Sequence, residues 1–288
     1  MPELPEVETL RRELDKALRG KIIKSVEVLW PKTVAPLSVA LFEKQIVGLK
    51  IGPIFRQAKI LIIDLVGPFS LAIHLKMTGQ LIYHPAKGKN LIGGHPAPED
   101  EANLPNGHTR LILNFTDGSI LYFNDLRKFG WARLVNDTEL DSLTKDLGPE
   151  PLSKDFSAKY FADLFSKYPK RTTKQILMDQ NLIAGIGNIY ADESAFLAKL
   201  LPNRKAGTVK PAQIKVLREK IVEILKHSIK LKGTSSRNYR RSDGSMGGFV
   251  PHLYVYGRAG LPCKICGTPI KKIRHNGRGT HFCSKCQH

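Results

Sequence analysis

Cysteine is absent from this 288-residue chain until position 263, so no disulfide can brace the bulk of it. Acid is absent from positions 251 to 288, where seven lysines and arginines stand without a neutralising partner nearby in sequence. No apolar run approaches the ~18 residues of a membrane-spanning helix. The start, Met1-Pro-Glu-Leu-Pro-Glu, has neither the basic nor the apolar region of a secretory signal. No basic amphipathic helix stands apart from the rest, which argues against an anionic membrane as partner. Thiols held for a metal rather than for disulfides fit a reducing cytosol, and a cytoplasmic protein is expected.

What the chain has in excess is positive charge. Forty-five Lys and Arg face 26 Asp and Glu, a net +19, with an ordinary hydrophobic share of 42%. Such a balance favours a polyanion, bound with release of its counterions. The length accommodates two domains, each with its own core.

The fold class expected is α+β in two domains. Val7, Leu10, Leu14 and Leu18 recur on one helical face between Pro5 and Leu18, with Pro5 in the first turn where its missing N–H costs little. Short β-rich runs follow at Ile22–Leu29, Ile60–Leu65, Leu71–Leu75, Leu81–Tyr83, Leu111–Phe115 and Ile120–Phe123. Thr116-Asp117-Gly118-Ser119 reads as the turn of a hairpin. Residues 1–135 are therefore expected to form an N-terminal helix and an antiparallel β-sandwich. Residues 84–108 are rich in Pro, Gly and Asn and read as a surface loop. Residues 136–152 are polar, end in Gly-Pro-Glu-Pro and read as an interdomain linker. A helical domain is expected over 153–234, with Ile214, Leu217, Ile221, Ile224 and Leu225 on one long helix ending near Gly233. An Arg/Ser/Gly-rich loop over 235–250 leads to a terminal segment, 251–288.

That last segment carries Cys263-Lys-Ile-Cys266, sixteen residues, then Cys283-Ser-Lys-Cys286. Two tight turns at this spacing bring four thiolates around one zinc ion. With no ligand position left for water, the metal is structural. The intervening hairpin is basic and suits a phosphate backbone. In Asp179-Gln-Asn-Leu-Ile-Ala-Gly185-Ile-Gly187-Asn188, a helix runs into a glycine turn and Asn188 is expected to cap a second helix, Ile189–Leu197. Glycines before a helix N-terminus expose N–H groups to a phosphate, although a plain helical corner gives the same pattern. At the other end, loss of the initiator Met leaves Pro2 as a secondary amine. An α-amine has a pKa near 8, so a neutral nucleophilic fraction exists at physiological pH. Glu3 stands beside it as a proton donor or relay. Both are also ordinary helix-start residues.

Met1-Pro-Glu-Leu-Pro-Glu-Val-Glu-Thr-Leu-Arg-Arg, the Gly185-Ile-Gly-Asn-Ile-Tyr-Ala-Asp-Glu turn, Val255-Tyr-Gly-Arg and the CxxC-x16-CxxC segment together resemble bacterial formamidopyrimidine-DNA glycosylase. The resemblance covers nearly the whole chain in order. It implies a bifunctional glycosylase and AP lyase that excises oxidised purines from damaged double-stranded DNA, as a monomer, associated with the nucleoid through DNA. Residues 1–135 become the catalytic domain, 153–234 a helix–two-turn–helix DNA-binding domain, 235–250 a lesion-capping loop and 251–288 a zinc finger. The nucleophile falls on Pro2, the acid on Glu3, a second acidic position on Glu6 and the catalytic lysine on Lys59. The family's Gly before that lysine is Ala58 here, and the aromatic after it is Ile60. The residues that fill the gap left by a flipped base fall on Met77, Arg127 and Phe129. The alternative for Met77 and Phe129 is core packing. Phosphate contacts fall on His108, Lys170, Asn188, Tyr256 and Arg278, with Arg278 at the hairpin tip aiding δ-elimination. Lys170 and Arg171 are not separable from sequence, and His108 depends on placing an insertion in residues 85–107, read as an inert loop. Leu4 favours the purine-specific branch over the related endonuclease VIII enzymes, which begin Pro-Glu-Gly-Pro. A non-catalytic DNA-binding protein is the competing class.

Overall fold

The structure is a computed structural model that describes residues 2–94, 103–234 and 248–288. The chain divides into two compact units, one of residues 1–145 with 231–250, the other of residues 146–230 with 251–288. Among the described residues, no helix is long and apolar enough to cross a membrane.

The first unit opens with α1 (Leu4–Leu18), whose Val7, Leu10, Leu14 and Leu18 are buried as the periodicity requires. One antiparallel sheet contains β1 (Ile23–Val28), β5 (Gly79–His84), β6 (Leu91–Gly94), β7 (Thr109–Phe115) and β8 (Ile120–Asp125), in the order β1-β7-β8-β5-β6. A second contains β2 (Ile51–Gln57), β3 (Ile60–Leu65), β4 (Phe69–His74) and β9 (Trp131–Val135), in chain order. Residues from α1 and from both sheets, among them Leu10, Leu61, Leu81, Leu113 and Phe123, share one core. The hairpin expected at Thr116–Ser119 is present, with Asn114 paired to Ile120 and Gly118 at φ 84°.

Among the described residues, three strands and two helices escaped the sequence reading. In β2, Pro53 removes a ladder donor and sits at a register shift between Ile51 and Ile54, which hides the alternation. The β6 strand lies inside the stretch read as a loop, so part of the 85–107 insertion is an edge strand rather than a surface loop. Its Gly93 is required by packing, since a Cβ there would come 2.3 Å from Leu10 Cδ1. The β9 strand places Trp131 and Arg133 on one face. Helix α2 (Val39–Ile46) is capped by Ser38, whose Oγ accepts from Leu41 N at 3.3 Å. The stretch 136–152 also holds a helix, α3 (Asp137–Thr144), closed by reciprocal Asn136 and Glu139 hydrogen bonds of 2.9 Å.

The second unit contains α4 (Ala158–Lys167), α5 (Thr173–Met178), α6 (Asn188–Leu197), α7 (Pro211–Lys230) and the zinc-segment hairpin of β10 (Lys271–His275) and β11 (Arg278–Phe282). Helix α7 buries the face read from sequence, and its Ser228 hydroxyl meets Tyr190 of α6 at 2.6 Å. Gly185, at φ 96°, makes the turn between α5 and α6. The cap of α6 is Gly187, not Asn188 as expected. Asn188 instead begins the helix, which frees its side chain to donate to Gly279 O at 3.0 Å.

Candidate functional site

Pro2 is buried immediately ahead of α1, and Glu3 at the N-cap is 2% exposed. Glu6 Oε2 accepts from Glu3 N at 3.0 Å, while its Oε1 accepts from Thr234 N at 2.7 Å and Thr234 Oγ1 at 2.8 Å. Glu6 thus ties the start of α1 to the chain that enters the 235–250 loop. Residues 235–247 of that loop lie outside the described residues.

Lys59 occupies the two-residue loop between β2 and β3, where Gln57 pairs with Ile60, and is only 5% exposed. On the neighbouring strand, His74 pairs with Ile60. Burial, then the charges of Lys76 and Lys59, hold the His74 imidazole down at about 3. Its Nδ1 accepts from Lys76 N at 2.9 Å, which requires the neutral ring. His74 is thus a neutral acceptor among lysines. Sequence reasoning missed it, and its place three residues before Met77 is the one signal that could have found it.

Met77, Arg127 and Phe129 come together from the β4–β5 and β8–β9 loops. Arg127 Nη1 lies 3.2 Å from Met77 Sδ, and its guanidinium sits 4.8 Å from the Phe129 ring centroid. Phe129 is 53% exposed, so it is not core. Buried Asp125 braces both loops. It accepts from the Thr78 hydroxyl and from Gly130 N at 2.6 Å, and Arg127 N donates to Thr78 Oγ1 at 3.1 Å. Asp125 N also donates to His108 O at 2.8 Å, which brings His108 to the base of the same loop. Lys128, at φ 58°, rests its ammonium 4.1 Å from the Trp30 ring centroid.

In the second unit, Arg171 is paired with Asp179 at 2.9 Å and stacked on Tyr168, whereas the Lys170 side chain is exposed. Arg278 is exposed at the first position of β11, after an Asn276-Gly277 turn with φ values of 47° and 71°. The hairpin behind it is fastened to the helices. Lys174, 3% exposed, reaches Asp192 at 2.6 Å, Thr280 Oγ1 at 2.8 Å and Gly279 O at 3.2 Å. Asp192 also accepts from His281 N at 2.8 Å. The neighbouring Glu193 accepts the N–H groups of Tyr254, Val255 and Tyr256 at 2.7 to 2.8 Å. Burial pushes its carboxyl up while those three donors pull against it. The Tyr256 ring meets His281 edge-on at 5.0 Å. Lys174, Asp192 and Glu193 were missed as supports, because sequence alone gave no partner for any of them.

The four cysteine sulfurs lie within 4.8 Å of one another. Cys266 and Cys283 are 3.5 Å apart and Cys263 and Cys286 3.9 Å, near the ~3.8 Å of sulfurs tetrahedral about zinc. Burial, and then hydrogen bonding among the sulfurs, pushes Cys286 up to about 12. A dication in the centre is what lets all four act as thiolates.

Three family models match in order: the formamidopyrimidine-DNA glycosylase N-terminal domain over residues 1–132, its H2TH domain over 147–240, and the zinc finger found in FPG and IleRS over 260–288. The chain belongs to the formamidopyrimidine-DNA glycosylase family. Family members from Herpetosiphon aurantiacus and Bacillus subtilis are 41% and 39% identical, over 288 and 290 residues, covering all of this chain and 100% and 99% of theirs. The structure is similar to a Lactococcus lactis FPG point mutant in complex with Fapy-dG-containing DNA, with a TM-score of 0.88 at 37% identity and full coverage of both chains. It is equally similar to the L. lactis Fpg complex with abasic-site DNA, at 0.88 and 37% over 99% of each. A MutM complex with carbocyclic 8-oxo-G DNA matches at 0.85 and 36%, again over both full chains. The four-cysteine cluster, as in the family's zinc finger, is the site of one structural zinc.

Proposed function

We propose that the protein is a bifunctional DNA glycosylase and AP lyase of base excision repair, acting on 8-oxoguanine and formamidopyrimidines in duplex DNA. The observation that carries this is Pro2 buried at the amino end of α1 with Glu3 beside it, in a chain matched end to end by the family. The positive pole of a helix disfavours a protonated amine, which keeps the Pro2 nitrogen available once Met1 is removed.

Pro2 N attacks C1′ of the damaged nucleotide, the C1′–base bond breaks, and the base leaves with a proton supplied within the site. Opening of the sugar ring gives an iminium between Pro2 and C1′. Loss of a C2′ proton then expels the 3′-phosphate, and a second elimination expels the 5′-phosphate, leaving a one-nucleotide gap. Glu3 moves the protons; Lys59 orients phosphate and assists transfer. Met77, Arg127 and Phe129 occupy the space vacated by the flipped base. His108, Asn188, Tyr256 and Arg278 hold the backbone, and Glu6 holds the amino end in place. Of Lys170 and Arg171, the phosphate contact is Lys170, because Arg171 is already neutralised by Asp179. The zinc supplies no bond chemistry; its four thiolates hold the segment that bears Arg278.

Borohydride trapping with an 8-oxoguanine duplex tests the reading. A covalent adduct on the peptide beginning at Pro2 is expected, absent in Pro2→Gly and when Met1 is retained. Adduct on an internal lysine in place of Pro2 refutes the nucleophile. Binding without cleavage or adduct makes the protein a non-catalytic DNA-binding member, and preference for thymine glycol makes it a pyrimidine enzyme.

A further inference from the structure

We propose that Arg56, seated on Glu8, is the positioning residue that aims Lys59; the inference rests on the catalytic role given to Lys59 above. Arg56 stands three residues before Lys59, on the strand that leads into its loop. Its Nε meets Glu8 Oε2 of α1 at 3.1 Å, and its Nη1 donates to Ala58 O at 2.8 Å. The two side chains are 10% and 13% exposed. One guanidinium therefore joins the helix that begins just after Pro2 and Glu3 to the loop that carries Lys59.

The grip acts on the lysine through the backbone. Ala58 C=O and Lys59 N–H lie in one rigid peptide plane, so holding Ala58 O also holds Lys59 N and Cα, the base from which the lysine side chain extends. Ala58 itself has φ 52°, a left-handed conformation that an L side chain disfavours, so the loop needs an outside hold. Glu8 is well placed to supply it. Its Oε1 accepts from Arg11 at 3.0 Å and Arg12 at 2.7 Å. Burial alone would raise the Glu8 carboxyl, but these two donors and the Arg56 charge hold it below its ordinary value. The seat is independently fixed, since Asp15 Oδ1 accepts from Ile54 N at 2.9 Å and locks α1 to β2. Removing Arg56 leaves Glu8 paired with Arg11 and Arg12, so the helix keeps its charge balance while Ala58 O loses the guanidinium donor.

The test uses the full-length, zinc-loaded protein and single-turnover borohydride trapping on an abasic-site duplex, with a tetrahydrofuran duplex for affinity. Arg56→Met is expected to slow trapping about tenfold or more, with affinity within about twofold of the wild type. The pH profile of trapping should shift with it, in the same direction as is expected of Lys59→Met. The Arg56→Met, Lys59→Met double variant should be no slower than Lys59→Met alone, because both act through one ammonium. Arg56→Lys should recover only part of the rate, since a lysine has no second arm for both acceptors. Should Arg56→Met fail to fold, Arg56→Lys carries the test alone, with a loss of about threefold or more expected. Wild-type trapping in either folded variant, or multiplicative losses in the double variant, overturns the positioning role and leaves Lys59 intact. Wild-type trapping by Lys59→Met removes the catalytic role of Lys59, and this inference with it.

Discussion

Ala58 holds a left-handed φ of 52° where the family resemblance places glycine. An L residue in that conformation costs roughly 1–2 kcal/mol, which glycine avoids at the expense of some unfolded-state entropy. Ala58→Gly should therefore raise stability by about 0.5–1 kcal/mol, seen as a higher urea midpoint at unchanged slope. His74 is the second residue with a measurable signature. Its folded-state value of about 3 lies below the 6.5 of an unfolded histidine. Between these values the unfolded chain binds a proton that the folded chain refuses, so stability falls as pH drops from 6.5 toward 3, by at most about 1.4 kcal/mol per unit. His74→Asn, which keeps an acceptor for Lys76 N, should flatten thermal stability across that window. An unchanged acid limb would mean that other groups control it. Neither property is legible in the sequence: a turn residue's φ and a ring's desolvation both depend on strands that meet only in the fold.

The hairpin of β10 and β11 is an element held from two sides. Zinc grips its root at Cys263, Cys266, Cys283 and Cys286, and Lys174 with Asp192 grips Gly279, Thr280 and His281 near its tip. The cysteine spacing announced the first grip. The second was hidden, because Lys174, Asp192 and Thr280 are ordinary polar residues until burial makes them partners. Lys174→Met strands a buried carboxylate, and a loss of about 3 kcal/mol is expected in denaturant unfolding. Cys283→Ser should release zinc to a chromophoric chelator and weaken DNA binding and strand cleavage together, while the helical circular dichroism of α4 to α7 persists. Wild-type affinity in a zinc-free Cys283→Ser protein would break the link between the metal and Arg278. The same contrast explains β2 and β6. Their proline and glycines erase local strand signals, and pairing with β3 and β5 restores them.

At the scale of the whole molecule, +19 of net charge makes DNA affinity a function of salt. Anisotropy titrations between about 50 and 200 mM salt should give a steep linear fall of log affinity against log salt. Lys170→Ala should reduce that slope by about one, whereas Arg171→Ala should hardly change it, because Asp179 already neutralises Arg171. Equal slopes in the two variants would reverse the choice between them.

The amino-acid sequence by itself determined the phase of α1 and α7, the Thr116–Ser119 hairpin, the excess of positive charge and the four-thiolate zinc chemistry. Each is set by residues close together in the chain, where spacing alone dictates geometry. Tertiary structure decided the rest. Glu8 meets Arg56 across 48 residues and Glu6 meets Thr234 across 228. Asp192 and Glu193 become fasteners of the zinc segment only once α6 is buried against it. A charge or hydrogen-bonding group acquires its function from desolvation and from the partner that burial selects, and neither is encoded at any one position.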